Sequence, residues 1–271
     1  MSKKNIEKWS LLYWIVNQYA SFMHFLFYRR IYVNNRENIP KNKPVIFALN
    51  HQNAFMDAIA IVCTTKTQPV FLARADVFSN PVTAKFLRFL KILPVFRIRD
   101  GKETVKNNEE IFQKCIDALV NKKALGIMPE GNQVDKKRLR SFKNGAFLIA
   151  LKAEEEQNNQ LNVNIIPVGL DYSNYHNFRS YLQISYGKPI IISDYYDLYK
   201  KDEKQCLEVL RNKLTESLKS LIIHIESSRF YELAENILKF YNFRMRQLLE
   251  LSKILVPRLR DGTSALLAVV F

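Results

Sequence analysis

Residues 44–57 read PVIFALNHQNAFMD. The run 44–49 is apolar and β-branched at its start, the composition of a buried strand. Four polar residues, Asn50 to Asn53, then break it, and a helical pattern follows over 57–65. A strand, a short loop and a helix in immediate succession are the opening half of a βαβ unit. Further short apolar runs lie at 69–72, 92–98, 124–128, 163–170 and 182–186, with helical patterns at 81–90, 104–121 and 145–157 between them. Strands separated by helices of this length predict an α/β fold with a mixed, largely parallel central sheet flanked by helices.

The flanks differ from this core. Residues 9–28, WSLLYWIVNQYASFMHFLFY, carry no formal charge; Lys3, Lys4 and Lys8 precede them and Arg29 and Arg30 follow. About twenty apolar residues would span a bilayer, but Asn17, Gln18, Ser21 and His24 interrupt the run. Trp9, Tyr13, Trp14, Tyr19, Phe22 and Phe25 crowd it with rings that favour the headgroup level. The stretch predicts a helix lying in a membrane interface, with a true span as the second reading. No small-x-small cleavage site precedes Arg29, which argues against a signal peptide. After residue 195 the pattern turns to long amphipathic helices, with Leu207, Leu210, Leu214, Leu218 and Leu221 at helical spacing. The expected organisation is an anchoring helix over 1–35, an α/β domain over 36–195 and a helical extension over 196–271.

Lys and Arg number 41 against 26 Asp and Glu, a formal charge of +15, so an anionic partner is expected: nucleic acid or an anionic membrane surface. Zinc-finger, RNP and helix-turn-helix signatures are absent, and the aromatics gather in one N-terminal helix instead of interleaving with a basic stripe. This favours the membrane and predicts no nucleic acid. Cys63, Cys115 and Cys206 are too scattered for a disulfide framework or a zinc cluster, which fits a reducing compartment. Basic residues concentrate beside the N-terminal helix and in 85–102, 136–143 and 229–260; coplanar, they would form one docking face.

Four segments carry chemistry. His51 and Asp57, six residues apart, suit a general base and its orienting carboxylate. Six steps of about 100° separate them around a helix, so the pair works only with His51 on the loop and Asp57 in the first helical turn. Arg97 and Arg99 sit at alternate positions of a strand, pointing two guanidiniums to one side, where they suit a phosphate. Met128-Pro129-Glu130-Gly131 follows a strand, at the sheet edge where α/β folds place ligands; Glu130 can accept a substrate hydroxyl or hold an arginine. Last, Pro167 within IIPVG predicts an edge strand or a bulge beside a site.

In order and spacing these segments resemble the glycerophospholipid acyltransferase family, the 1-acylglycerol-3-phosphate acyltransferases and their relatives. The family's Asn-His-x4-Asp, Phe-Ile-x-Arg, Pro-Glu-Gly-Thr-Arg and Pro-Val motifs correspond to Asn50-His51 with Asp57, Phe96 with Arg99, Pro129-Glu130-Gly131, and Pro167-Val168. The His-to-Asp gap here holds five residues instead of four, and Asn132-Gln133 stand where the family has Thr-Arg.

The resemblance implies an acyltransferase in which His51 takes the proton of an acceptor hydroxyl and Asp57 orients His51. Arg97 and Arg99 would hold the acceptor phosphate, and Glu130 and Gly131 would shape its site. The implied partners are a lysophospholipid acceptor, an acyl thioester donor (acyl-CoA or acyl-carrier protein) and an anionic membrane surface. No cofactor and no metal are expected, and the implied place is the cytoplasmic membrane face. Lysophosphatidate is the first acceptor; another lyso-lipid and glycerol-3-phosphate are the alternatives, motivated by the missing Thr-Arg pair. A non-catalytic membrane scaffold or a basic nucleic-acid-binding protein is the rival of another class.

Overall fold

The computed structural model describes residues 9–65, 67–96, 107–238 and 240. The chain divides into two compact units, Met1–His224 and Ile225–Phe271; in the second, residues 231–238 are helical. The account below concerns the first.

Its centre is an eight-stranded sheet: β1 (Arg30–Asn34), β2 (Val45–Leu49), β3 (Val70–Arg74), β4 (Ile92–Val95), β5 (Ala124–Ile127), β6 (Asn164–Tyr172), β7 (Tyr181–Tyr186) and β8 (Ile190–Ile191). The order across the sheet is β1-β7-β6-β2-β5-β3-β4, with β8 also paired to β6. The β2, β3, β4, β5 and β6 pairings are parallel, as is β1 with β7; β7 and β8 run antiparallel to β6. Helices are α1 (Leu11–Phe27), α2 (Ala54–Thr64), α3 (Pro81–Phe89), α4 (Asn107–Val120), α5 (Gly145–Glu156), α6 (Tyr196–Lys201) and α7 (Glu203–Leu221).

Strand β2 shows why the sheet is central. All five of its residues are buried. Ile46 and Ala48 join one apolar cluster, with Leu119 of α4, Phe147 and Leu151 of α5 and Leu214 of α7. Val45, Phe47 and Leu49 join the other, with Ala58 and Ile61 of α2. Alternate residues point to opposite faces, so a strand covered on both sides must be apolar throughout.

Pro167 departs from the edge strand that is one of its two expected settings, the other being a bulge. Pro167 lies in β6, a central strand flanked by β2 and β7, and not at an edge. Its ring is tolerated because β7 pairs with β6 only over 168–172 and β8 only at 164–165, leaving a gap between them. The Pro167 carbonyl accepts the Gly187 N–H on that side at 2.8 Å, so the missing N–H faces the gap and removes no ladder bond. Residues 30–34 form β1 within the sheet, and α7 buries Cys206, Leu207, Leu210, Leu214 and Leu218 against it. At Gly169 of β6, a Cβ would lie 2.6 Å from the Leu221 Cβ and 2.9 Å from the Leu221 carbonyl oxygen, so the end of α7 rests directly on the strand.

The polar stretch after α5 is no free linker. Glu154 is fully buried, and its carboxylate accepts the N–H groups of Leu161 (3.2 Å), Asn162 (3.3 Å) and Val163. Helix α1 is pinned at both ends. Ser10 exchanges two 3.1 Å hydrogen bonds with the Gln68 side chain, and the Phe27 carbonyl accepts the Arg179 N–H at 2.7 Å. Its Tyr13 and His24 are buried, while Trp9 before it and Leu12, Trp14, Tyr19, Phe22 and Phe25 along it are exposed. Among the described residues no helix is long and apolar enough to cross a membrane.

Candidate active site

Three strands deliver the site at their carboxyl ends. Asn50–Asn53 leave β2, Met128–Gly131 leave β5, and Leu170–Tyr172 close β6. Asn50 extends the β2–β6 ladder by one rung made of side chain: its Oδ1 accepts the Leu170 N–H at 2.7 Å and its Nδ2 donates to the Leu170 carbonyl at 2.9 Å. The loop behind it is thereby fixed to the sheet.

His51 stands on that loop and Asp57 in the first turn of α2, as the spacing requires. The His51 Nδ1 and Asp57 Oδ2 lie 2.9 Å apart; the imidazole is 20% exposed and the carboxylate fully buried. Asp57 Oδ2 also accepts the backbone N–H groups of Gln52 (3.0 Å) and Asn53 (2.9 Å). An oxygen serving two N–H donors is the acceptor towards His51 as well, which places a ring proton on Nδ1. Nε2 has no partner among the described residues. The five-residue gap is absorbed at Ala54, whose φ of 45° is left-handed.

The Glu130 loop locks His51 from behind. The Gly131 N–H returns to the Met128 carbonyl at 3.0 Å, a turn that leaves Gly131 at a φ of 69°, where glycine alone is unstrained. Glu130 projects into the protein. Its Oε1 accepts the His51 N–H at 3.0 Å and its Oε2 the Arg140 N–H at 3.3 Å. Burial pushes this carboxyl up to about 7, against the pull of those two donors. Glu130 therefore ties two loops together through their backbones; the arginine it holds is held by its N–H, not its guanidinium. The His51 carbonyl accepts the Val134 N–H at 3.3 Å, and the Gln52 Nε2 donates to the Lys136 carbonyl at 2.8 Å. Lys137, in the tract expected on a docking face, is instead buried and paired with Asp171, its Nζ also donating to the Tyr172 carbonyl at 3.0 Å.

Two tyrosines without a sequence signal complete the arrangement. Tyr172 donates to Asp57 Oδ1 at 2.7 Å. The Tyr175 carbonyl accepts from the Asn53 Nδ2 at 3.1 Å, and its hydroxyl donates to Gln52 Oε1 at 3.3 Å. Arg97 and Arg99 lie outside the described residues. An apolar cleft of about 160 Å³ opens between α1, α2 and α3, lined by Tyr13, Val16, Phe55, Ile59, Val62 and Phe86. Phe55 brings it to the turn that carries Asp57.

The family described as Acyltransferase matches residues 30–171, more than half of the chain. The chain is 34% identical over 116 residues to glycerol-3-phosphate O-acyltransferase 2 of Saccharomyces cerevisiae, covering 42% of this chain and 16% of that protein. It is 27% identical over 141 residues to the chloroplastic 1-acyl-sn-glycerol-3-phosphate acyltransferase LPAT1 of Arabidopsis thaliana, covering 52% and 37%. It thus spans well under half of either relative. Against the 1-acyl-sn-glycerol-3-phosphate acyltransferase of Borreliella burgdorferi it is 25% identical over 199 residues, 72% of this chain and 74% of the other. The crystal structure of the 1-acyl-sn-glycerophosphate (LPA) acyltransferase PlsC from Thermotoga maritima shares the fold, with a TM-score of 0.51 at 20% identity over 76% of this chain and 79% of that one. With that family model covering more than half of its length, the chain belongs to the acyltransferase family, among its glycerophospholipid members.

Proposed function

We propose that the chain transfers a fatty acyl group from a thioester, acyl-CoA or acyl-carrier protein, to the free hydroxyl of lysophosphatidate, forming phosphatidate. The observation that carries this reading is the His51–Asp57 pair, with Nδ1 committed to the carboxylate and Nε2 open. Nε2 takes the hydroxyl proton as that oxygen attacks the thioester carbonyl. The tetrahedral adduct collapses, the C–S bond breaks, and the imidazolium returns the proton to the departing thiolate. Asp57 holds the tautomer and balances the imidazolium charge, a general-base contribution of roughly 10²–10⁴-fold. Direct transfer needs no acyl-enzyme, and no cysteine or serine stands in a nucleophile's setting beside His51 among the described residues.

Arg99, with Arg97, holds the acceptor phosphate; Gly131 and the Glu130 loop shape its site; the cleft beside Phe55 takes the start of the acyl chain. The exposed aromatic face of α1 lies in the interface of an anionic membrane on the cytoplasmic side. The test is acyl transfer to lysophosphatidate by membranes carrying wild type or His51→Ala, against an empty-vector control. Loss of activity by about a hundredfold or more supports the reading, and equal activity in the two ends it.

A second acceptor, glycerol-3-phosphate, is favoured by the 34% identity to the yeast protein of that name. A panel with lysophosphatidate, glycerol-3-phosphate and a lyso-aminolipid separates the acceptors. An Arg99→Ala defect confined to the phosphorylated ones supports the phosphate-binding role.

A further inference from the structure

The Asp57 carboxylate divides its two oxygens. Oδ2 serves His51 and the Gln52 and Asn53 backbone, whereas Oδ1 accepts, among the described residues, only the Tyr172 hydroxyl, at 2.7 Å. Both side chains are fully buried. Rotation about the Cβ–Cγ bond would swing Oδ2 off the imidazole, and the Tyr172 hydroxyl on the far oxygen opposes it.

Tyr172 is itself held where it must be. The Asn50 side chain fixes the register of Leu170, two residues before it, and Lys137 binds the Tyr172 carbonyl at 3.0 Å. Its ring packs between those of Tyr28 and Tyr175, with centroids at 6.2 and 5.8 Å. Burial, and then the neighbouring carboxylate, raise the phenol well above its ordinary value, so it is a donor at every working pH.

We infer that Tyr172 is a positioning residue for the acyl transfer, setting through Asp57 both the orientation and the basicity of His51. The inference rests on the dyad reading above. A donor on Oδ1 draws charge from the carboxylate and makes it a weaker base, which keeps the proton on His51 Nδ1 and Nε2 available. With the donor gone, the carboxylate holds an imidazolium more tightly and its plane is free to turn.

The experiment is the pH dependence of kcat and kcat/KM for transfer from acyl-CoA to lysophosphatidate, in wild type, Tyr172→Phe, Asp57→Asn and the double variant. Tyr172→Phe keeps the ring. We expect kcat to fall about tenfold to a hundredfold, part of the base's whole contribution, with KM within about threefold. The acid limb of kcat/KM moves up by roughly half a unit to one unit. In the Asp57→Asn background the Tyr172 change adds less than about threefold, because its effect runs through the carboxylate. If Tyr172→Phe does not fold, 3,5-difluorotyrosine at position 172, a stronger donor of near-equal size, moves the acid limb down. A Tyr172→Phe profile superimposed on the wild type, or a full extra loss in the Asp57→Asn background, overturns the inference while leaving the dyad standing. Wild-type activity in His51→Ala instead overturns the dyad reading, and this inference with it.

Discussion

Glu130 shows how much one buried side chain does here through backbone contacts. Both its oxygens are occupied by backbone N–H groups, one from the His51 loop and one from Arg140. Burial lifts its carboxyl from 4.5 to about 7, so between those values the folded protein holds a proton that the unfolded chain releases. The contribution favours the fold at low pH and is lost as pH rises through 7, at most about 3 kcal/mol. Glu130→Gln removes this titration and keeps one acceptor. Urea unfolding at pH 4.5 and pH 8 is therefore expected to shift the difference between variant and wild type in the variant's favour at the higher pH; parallel curves would contradict the assignment. His51 and Asp57 are singled out by the resemblance to the family's Asn-His-x4-Asp motif; their spacing alone asks only for a loop and a first helical turn, which is where they lie, 2.9 Å apart. Tyr172 is not singled out. It contacts Asp57 across 115 positions of chain, and a lone tyrosine after IIPVGL has no local mark that tells a core ring from a hydroxyl bonded to a buried carboxylate.

At the scale of elements, legibility follows length and period. The strands with four or more apolar residues in sequence could be read directly, but β1, Arg-Ile-Tyr-Val-Asn, is largely exposed and reads as the tail of the segment before it. Strand β8 has two residues, too few for any pattern. Pro167 misled because the rule against proline in central strands presumes that both neighbours are paired at that residue, and here one side is a gap. Helix α1 has a weak point that its composition hides. His24 is buried against Tyr28, with ring centroids 4.8 Å apart, and neither ring nitrogen has a partner among the described residues. Burial lowers it from 6.5 to about 4. The docked helix therefore keeps its full stability above pH 6.5 and loses it as pH falls towards 4, by on the order of 3 kcal/mol. His24→Leu is expected to abolish this acid sensitivity and to stabilise the protein by roughly 1–3 kcal/mol even at pH 7, by removing an unpaired polar group. Thermal unfolding at pH 5 and pH 7.5 checks both; a variant as acid-sensitive as wild type would mean that α1 is not docked through this histidine.

For the whole molecule, the +15 charge and the exposed face of α1 pose one physical question: whether either of them makes the membrane contact proposed above. Much of the expected basic face, including Lys3, Lys4, Lys8, Lys102 and 241–260, lies outside the described residues, and Lys137 is withdrawn into an ion pair. The aromatic face is in view, with Trp9 62%, Trp14 45%, Phe22 59% and Phe25 72% exposed on a helix fastened at both ends. Rings in that number, side by side on a rigid support, bury apolar area at no further folding cost, at about 25 cal/mol per Å². Basic residues add about 1 kcal/mol each near an anionic surface, but salt screens that share and leaves the apolar one. The two contributions are separable by vesicle co-sedimentation. Wild type is expected to bind phosphatidylglycerol-containing vesicles at 0.1 M salt and to keep a weaker binding at 1 M. Trp14→Glu with Phe22→Glu is expected to weaken the first by about tenfold or more and to abolish the second. Undiminished binding by the double variant would make charge alone the anchor and α1 no more than a cover for the apolar cleft. Loss of vesicle binding, with unfolding in urea unchanged, would place the membrane contact on the same helix that closes one wall of that cleft.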